Sequence, residues 1–493
     1  MNIGLLAMSG VRAHDKRLLE LGLTLPGFVE RSKVVASLPS LGLLYLAACT
    51  PAGHEVRYFE AESDRAEPVE VYLCDLVAIS TFSAQIFEAY AIADRLRRAG
   101  VKVAMGGLHV SMLPDEALKH ADYVVIGEGE NVWPAVVEAA ASRAGSAIFK
   151  ATDFEPVEVA RLPVPRYDIL GHRAYNRYTV QTTRGCPWRC EFCASTVMLQ
   201  APYRRRPVDQ VARDITVIEQ LHPQAFIEFA DDNTFVAKPW SKELCCALLS
   251  LNVKWFTETD ISVADDDELL ELMYQSGCRQ VLIGLESPSA GPLAGLEQRA
   301  DQKARWAPHY AEAIRAIQSH GVAVSACFIL GLDGHTTGVF REILQFVEDV
   351  DPFDVQITLL TPFPGTPLYE RLLKEGRILQ PGAWQLCTLF DVNYRPAGMT
   401  PQELREGIYW LGGQLYSEEA TRRRRKGFFS QFRHERSPVR NRCYLFGSCT
   451  LSPPPMMGCW VWPSSWLARR FSTCSGSLRR TTGVTSISVP ACW

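Results

Sequence analysis

The segment Thr183-Arg184-Gly185-Cys186-Pro187-Trp188-Arg189-Cys190-Glu191-Phe192-Cys193-Ala194 carries three cysteines in the pattern C-x3-C-x2-C, directly after a strand-like run at 178–182. A loop of that length curls around a small inorganic core, so its thiolates can converge on one. Soft sulfur ligands select iron–sulfur clusters, zinc or Cu(I). A closed zinc site takes four ligands, and the next cysteines, Cys245 and Cys246, adjoin each other instead of forming a spaced pair. Three thiolates on a [4Fe–4S] cube leave one iron open to another molecule. Structural or zinc-bound cysteines are the competing reading.

The bulk properties set the frame. A chain of 493 residues has room for about two to four domains. With 47% hydrophobic and 22% charged residues it reads as globular with an ample core. A net charge of −4 lacks the basic footprint of a dedicated nucleic-acid binder. The apolar run at 1–9 has no basic segment before it, unlike a signal peptide. No uninterrupted apolar stretch approaches the ~20 residues of a membrane span. Fifteen cysteines are scattered along the chain, not framed as in a secreted mini-domain, so a reducing cytoplasm is expected.

Upstream of the cysteine loop, residues 1–150 alternate strand and helix patterns. Apolar strands are predicted at 3–7, 54–59, 76–80, 102–107 and 123–126, with a helix from Ser40, a plausible N-cap, and another at 84–99. Such alternation predicts βαβ units and a doubly wound parallel sheet. Ligands of these sheets bind outside the carboxyl ends of the strands. The residues there are Ser80 and Thr81, Gly106-Gly107-Leu108-His109 and Gly127-Glu128-Gly129-Glu130. Glycines at strand ends are equally compatible with tight turns.

Residues 151–177, with Pro156, Pro163 and Pro165 and no clear period, read as a linker. From 178 to 399 the alternation resumes for about six βα units, with strands at 225–229, 254–257, 280–285, 322–330 and 354–359. Helices are expected at 207–221, 266–276 and 307–320, with Asp266 capping the second. Barrels of this kind place their chemistry at the carboxyl strand ends. Those ends carry Asp231-Asp232-Asn233, Glu258 and Asp260, Gly284-Leu285-Glu286-Ser287, and Phe328-Ile329-Leu330-Gly331-Leu332. Arg204-Arg205-Arg206 reads as a solvated basic approach to a helix, or as anion ligands. Cys245, Cys246, Cys278 and Cys327 read as small core residues.

The motif C-x3-C-x-aromatic-C, with Phe192 before the last cysteine, resembles that of radical S-adenosylmethionine (SAM) enzymes. The front domain, with Pro39-Ser40-Leu41-Gly42, Gly-Gly-x-His at 106–109 and Gly-Glu-Gly-Glu at 127–130, resembles the cobalamin-binding domain of the B12-dependent members. The expected fold is therefore α/β: an N-terminal doubly wound, Rossmann-like B12-binding sheet followed by a partial (βα)6 TIM-type radical SAM barrel. The resemblance implies that Cys186, Cys190 and Cys193 hold a [4Fe–4S] cluster whose open iron SAM chelates. It places Phe192, Asp231, Asp232, Glu258, Glu286, Ser287 and Gly331 near SAM. Ser80, Thr81, Gly106, Gly107, His109, Gly127, Glu128 and Gly129 would lie near cobalamin. The fifth-strand segment departs from the family pattern, with Cys327 and His335 where a glycine and an acid usually stand. The D-x-H-x-x-G motif that supplies a cobalt-ligating histidine is absent from 1–150. It occurs at Asp333-Gly334-His335-Thr336-Thr337-Gly338, inside the predicted barrel, where it reads as a chance match.

The implied activity is reductive SAM cleavage to a 5′-deoxyadenosyl radical, serving C-methylation of an unactivated carbon in a small molecule or peptide. An electron donor such as flavodoxin or ferredoxin is implied, and no nucleic-acid partner. Radical cyclisation without methyl transfer, a non-catalytic corrinoid sensor, and a front domain that has lost B12 are the alternatives.

The chain closes with an expected helical segment at 400–435. Beyond Glu435 no Asp, Glu, Lys or His occurs, while five cysteines and four tryptophans do. That composition fits neither a disordered tail nor a paired metal site, so 436–493 reads as an aberrant or frame-shifted end.

Overall fold

The structure, a computed structural model, describes residues 1–8, 17, 38–61, 67–171, 175–195, 202–298 and 300–431. The described residues fall within one compact unit, and the whole of the 436–493 tail lies outside them.

Continuous apolar runs become strands buried on both faces, as a helix-covered parallel sheet requires. Strands β1 (Asn2–Met8), β2 (Glu55–Ala61), β3 (Leu76–Ser80), β4 (Lys102–Gly106), β5 (Tyr123–Ile126) and β6 (Ala147–Lys150) form an all-parallel sheet in the order β2-β1-β3-β4-β5-β6. The order reverses between β1 and β3, the kind of switch point where doubly wound sheets bind ligands. Ser40 does occupy the N-cap of the helix Leu41–Ala48, but its side chain caps nothing. Its N–H donates to Tyr58 Oη at 2.8 Å instead, which ties the helix start to β2. The expected helix at 84–99 opens with a 3₁₀ turn, Ser83–Gln85, before its α-helical body Ile86–Arg98.

Among the described residues, the chain between the sheets carries short 3₁₀ turns, yet it is anchored. Val157, Val159 and Leu162 pack on Tyr45, and buried Tyr167 donates its hydroxyl to Thr179 O at 2.8 Å.

Strands β7 (Tyr178–Val180), β10 (Phe226–Phe229), β11 (Lys254–Thr259), β12 (Cys278–Glu286), β13 (Ala323–Leu330) and β14 (Asp354–Leu359) form a second parallel sheet in the order β14-β13-β12-β11-β10-β7. Among the described residues its end strands β7 and β14 do not pair with each other, so the sheet is an open barrel. One face, with Ile227, Phe229, Trp255, Val281, Ile283 and Leu285, is buried. The rings of Phe229 and Trp255 stack with centroids 4.8 Å apart. Each such side chain contributes about 1.5–3 kcal/mol through burial. The alternate positions Glu228, Glu258, Gln280, Ser325, Cys327 and Gln356 make the other face polar. Cys327 is therefore not a core residue: it is half-buried, with its Sγ 3.5 Å from Gln356 Oε1. Cys245 and Cys278 are fully buried, as expected.

A two-stranded antiparallel ribbon, β8 (Thr183–Arg184) with β9 (Arg204–Arg205), closes the base of the cysteine loop. Asp266 caps the helix Asp267–Gln275 by accepting from Leu269 N at 3.0 Å. The segment from 400 forms two helices, Pro401–Leu415 and Glu418–Gln431, the first opened by a Thr400–Glu403 capping box.

Candidate active site

Cys186, Cys190 and Cys193 are half-buried cysteines on the loop that follows β8. The loop's shape is fixed from several sides. Cys193 N donates to Cys190 O at 3.1 Å, and Glu191 N to Leu296 O at 2.9 Å. Arg189, at φ 51°, turns the chain between the cysteines. Arg371 grips Glu191 at 2.7 Å, and Leu368 N donates to Glu191 O at 3.0 Å. Trp188 Nε1 donates to Asp260 Oδ2 at 3.0 Å, and Asn233 Nδ2 donates to the same oxygen at 2.8 Å. Phe192 sits half-buried between Cys190 and Cys193.

Burial raises the Cys186 thiol to about 12, and it raises Cys190 further although the Lys303 ammonium opposes it. Both are protonated at neutral pH unless a metal centre displaces the protons, as thiolate-ligated metals do. Among the described residues no three His, Cys, Asp or Glu side chains gather as a single metal ion requires. Three thiols on one short loop are the kind of soft-sulfur donor set that iron–sulfur centres use.

The acidic residues after β10 lie against this loop. Asp231 is buried and accepts from Thr182 N at 2.8 Å, Thr183 N at 2.9 Å and Thr234 Oγ1 at 2.8 Å, and also from the Thr182 hydroxyl. Its carboxylate is fully committed to the turn into the loop. Asp232 accepts from Gly185 N at 3.1 Å through one oxygen. Glu258 is an exposed residue on the polar face of β11, with the charges of Glu228 and Asp232 close by. Desolvation, then the neighbouring Glu228 and Asp232, raise its pKa to about 8.

Glu286 ends β12 at φ 64°, beside a register shift against β13. Lys303 holds it at 2.9 Å and also donates to Gly284 O at 2.5 Å. Ser287 is buried, its Oγ 3.2 Å from His335 Nε2. Gly331 has φ 88°, and its carbonyl accepts from Tyr394 Oη at 2.7 Å; a Cβ there would sit 2.0 Å from that oxygen. Spacing had not singled out Lys303, whose ammonium lies near Cys190. His335 is buried and its imidazole pKa is lowered to about 4 by desolvation. The histidine of the D-x-H-x-x-G match thus stands beside Ser287 in the barrel, far from the first sheet in sequence.

At the first sheet, Ser80 pairs in register with Gly106, bringing the ends of β3 and β4 side by side. Gly107, at φ 107°, passes so close to Thr81 that a Cβ would lie 3.3 Å from its carbonyl oxygen. Gly127, at φ 87°, donates its N–H to Ser111 Oγ at 3.0 Å, and a Cβ on Gly129 would lie 3.3 Å from Leu46. The floor is backbone and small side chains, suited to a large flat cofactor that must approach the chain closely. His109 is fully buried, with Nδ1 3.1 Å from Ser83 Oγ and Nε2 3.3 Å from Glu116 Oε1, edge-on to Trp384. Both ring nitrogens are engaged by protein, so it serves as a buried hydrogen-bonding hub. Glu128 likewise directs its carboxylate to Arg184 and Arg204.

The arginine triplet is not a solvated approach. Arg204 pairs with Glu128, Arg205 is exposed, and Arg206 pairs with Asp214 at 2.6 Å with both side chains fully buried. Placed on a strand, alternate residues face opposite sides, and only Arg205 faces water.

Comparison with known proteins follows this division. Residues 30–137 match the B12 binding domain family and residues 180–347 the Radical SAM superfamily. Bacteriochlorophyllide d C-12(1)-methyltransferase of Chlorobaculum tepidum is 25% identical over 394 residues, covering 78% of this chain and 84% of its own. Anaerobic magnesium-protoporphyrin IX monomethyl ester cyclase of Cereibacter sphaeroides is 24% identical, covering 79% and 69%. The radical SAM methyltransferase TsrM from Kitasatospora setae, solved with cobalamin and a [4Fe–4S] cluster, shares the fold with a TM-score of 0.59 at 15% identity, over 83% of this chain and 81% of its own. Sheet and barrel define a two-module cofactor enzyme. The chain belongs to the radical SAM enzymes that carry a B12-binding domain. The two matched families are described by B12 binding and by radical SAM chemistry, the cofactors expected of the first sheet and of the barrel. Among the described residues no helix is long and apolar enough to cross a membrane.

Proposed function

We infer that this enzyme transfers a methyl group to carbon in a small-molecule or peptide substrate. The observation that carries this reading is the similarity, along most of the chain, to proteins named as methyltransferases, one of them sharing both the sheet and the barrel. In this reading Cys186, Cys190 and Cys193 hold the cluster. Phe192, Asp232, Glu258, Ser287 and Gly331 line the SAM site, while Asp231 and Glu286 hold its walls through Thr182 and Lys303. Ser80, Thr81, Gly106, Gly107, Gly127 and Gly129 lie along cobalamin, and His109 keeps their loop in place from beneath. The domains divide as 1–150 for cobalamin, 151–177 as connection, 178–399 as barrel and 400–435 as a C-terminal helical segment. Cluster and SAM supply radical chemistry when bound, and cobalamin supplies methyl transfer; the protein orients the partners and excludes competing reactions.

The chain's own contributions are electrostatic. The raised pKa of Glu258 favours its protonated form, which would offer an O–H to a ligand in the barrel. Lys303 places a fixed ammonium beside Cys190 and Glu286. A cytoplasmic location and a flavodoxin- or ferredoxin-type electron donor belong to this reading.

The test is anaerobic reconstitution with iron, sulfide and hydroxocobalamin, then assay of SAM products under dithionite. Both 5′-deoxyadenosine and S-adenosylhomocysteine are expected, reporting the two uses of SAM. Deoxyadenosine alone, with corrinoid bound, would replace methyl transfer by cyclisation. A Cys186→Ala protein that still makes deoxyadenosine would refute the cluster assignment.

A further inference from the structure

Arg184 and Arg204 face each other across the ribbon β8–β9 that closes the cysteine loop. Like charges directly opposite on paired strands repel. The repulsion is met from the first sheet. Glu128, just after β5, accepts from Arg184 Nη1 at 2.7 Å and from Arg204 Nη2 at 2.6 Å and Nη1 at 3.2 Å. Glu130 accepts from Arg184 Nη2 at 2.6 Å. Gln181 Oε1 accepts from Arg184 at 3.0 and 2.8 Å, and Val157 O from Arg204 Nη1 at 2.9 Å. Arg184 is 7% exposed and Glu130 9%, so these charge-assisted bonds are shielded from salt, where they are strongest. Gly127, with its positive φ, makes the turn that brings Glu128 to the ribbon.

We propose that Glu128, with Glu130, is a positioning residue for the cluster loop. The loop after β5 of the cobalamin sheet clamps the base of the loop carrying Cys186, Cys190 and Cys193, and its carboxylates are not cobalamin contacts. The proposal rests on the cofactor assignment above. Cluster retention then depends on two carboxylates from the other module, neither of them a ligand.

The experiment compares wild type, Glu128→Gln, Arg204→Met and Arg204→Lys after anaerobic reconstitution with iron, sulfide and hydroxocobalamin. Readouts are corrinoid absorbance, iron per chain, the electron paramagnetic resonance signal of the reduced cluster, and the rate of iron loss to EDTA. Glu128→Gln should bind corrinoid like wild type while losing iron roughly tenfold faster, the effect of one charge-assisted bond. Arg204→Met should reproduce that loss, and Arg204→Lys, which keeps the charge, should restore part of it. Loss of corrinoid with unchanged iron retention would overturn the proposal and make Glu128 a cofactor contact. Unchanged behaviour of both cofactors would also overturn it. If Glu128→Gln does not fold, the Arg204 pair decides alone, since equal iron loss in the Met and Lys variants removes the role of charge. Wild type that takes up neither cofactor would instead refute the assignment of the two modules.

Discussion

Asp231 binds Thr182 twice, through its backbone N–H at 2.8 Å and through its hydroxyl, so one buried carboxylate sets the turn from β7 into the cysteine loop. Removing one acceptor oxygen leaves buried donors unmatched. Asp231→Asn should lose about 1–3 kcal/mol of unfolding free energy, read by urea denaturation, together with reduced cluster uptake. Asp232→Asn should stay within about 0.5 kcal/mol of wild type, because its amide oxygen still accepts from Gly185 N. Equal stability of the two variants would contradict this division of labour.

Arg206 and Asp214 form an ion pair with both side chains fully buried, and Arg206 also donates to Gln181 O at 3.0 Å. Truncating one partner strands a charge in the interior. Asp214→Ala should therefore cost about 3–5 kcal/mol, whereas the apolar pair Arg206→Met with Asp214→Leu should recover most of that loss. Denaturant midpoints of the single and double variants check it; a double variant no better than the single would count against a purely electrostatic cost.

Glu258 provides a pH signature. Its folded pKa, about 8, lies above the value of 4.5 for an unshifted glutamate. The folded state therefore binds more protons than the unfolded state between those values, and Glu258 makes stability fall as pH rises from about 4.5 through about 8. Glu258→Gln removes that slope. The variant should match wild type near pH 4.5 and gain on it progressively towards pH 8, measured by denaturation at several pH values. A constant difference across the range would contradict the raised pKa.

Gly407 faces Phe340 where the helix Pro401–Leu415 crosses the helix Val339–Val350, and a Cβ there would lie 1.9 Å from the ring. Alanine is better than glycine in a helix by about 1 kcal/mol. Overpacking costs about 1–3 kcal/mol, so the clash should win. Gly407→Ala should lower the thermal midpoint, and adding Phe340→Leu should raise it again. A stabilised single variant would show that the helices separate without cost.

The fold was legible where the information is local. Leu76-Val77-Ala78-Ile79-Ser80 and its counterparts are short apolar runs between turn residues, and each became a parallel strand at the place its pattern predicts. Asp266 before an apolar-periodic run became a cap with its bond to Leu269 N. Ser40 has the same kind of position, yet its N–H serves Tyr58 from a strand that follows later. The helix end looks alike in both cases; the neighbour that decides is not local.

Roles around the site were less legible for the same reason. Asp231, Glu128 and His109 are polar residues at carboxyl strand ends, where ligand contacts are expected. Each has its polar atoms engaged by protein side chains or backbone. Lys303 lies in a segment with no motif, and only its packing against β12 places its ammonium near Cys190.

Cysteine spacing and alternating strand and helix periods determined the cysteine-bearing loop as a candidate site, the two parallel sheets and their order along the chain, because each depends on residues a few positions apart. Arg204, Arg205 and Arg206 mark what spacing left open. Three identical neighbours reach Glu128, solvent and Asp214 respectively. Glu128 lies 76 residues before Arg204. Strand alternation sends successive side chains to opposite faces, and only the packing of one sheet beside the other decides which charge waits on each side.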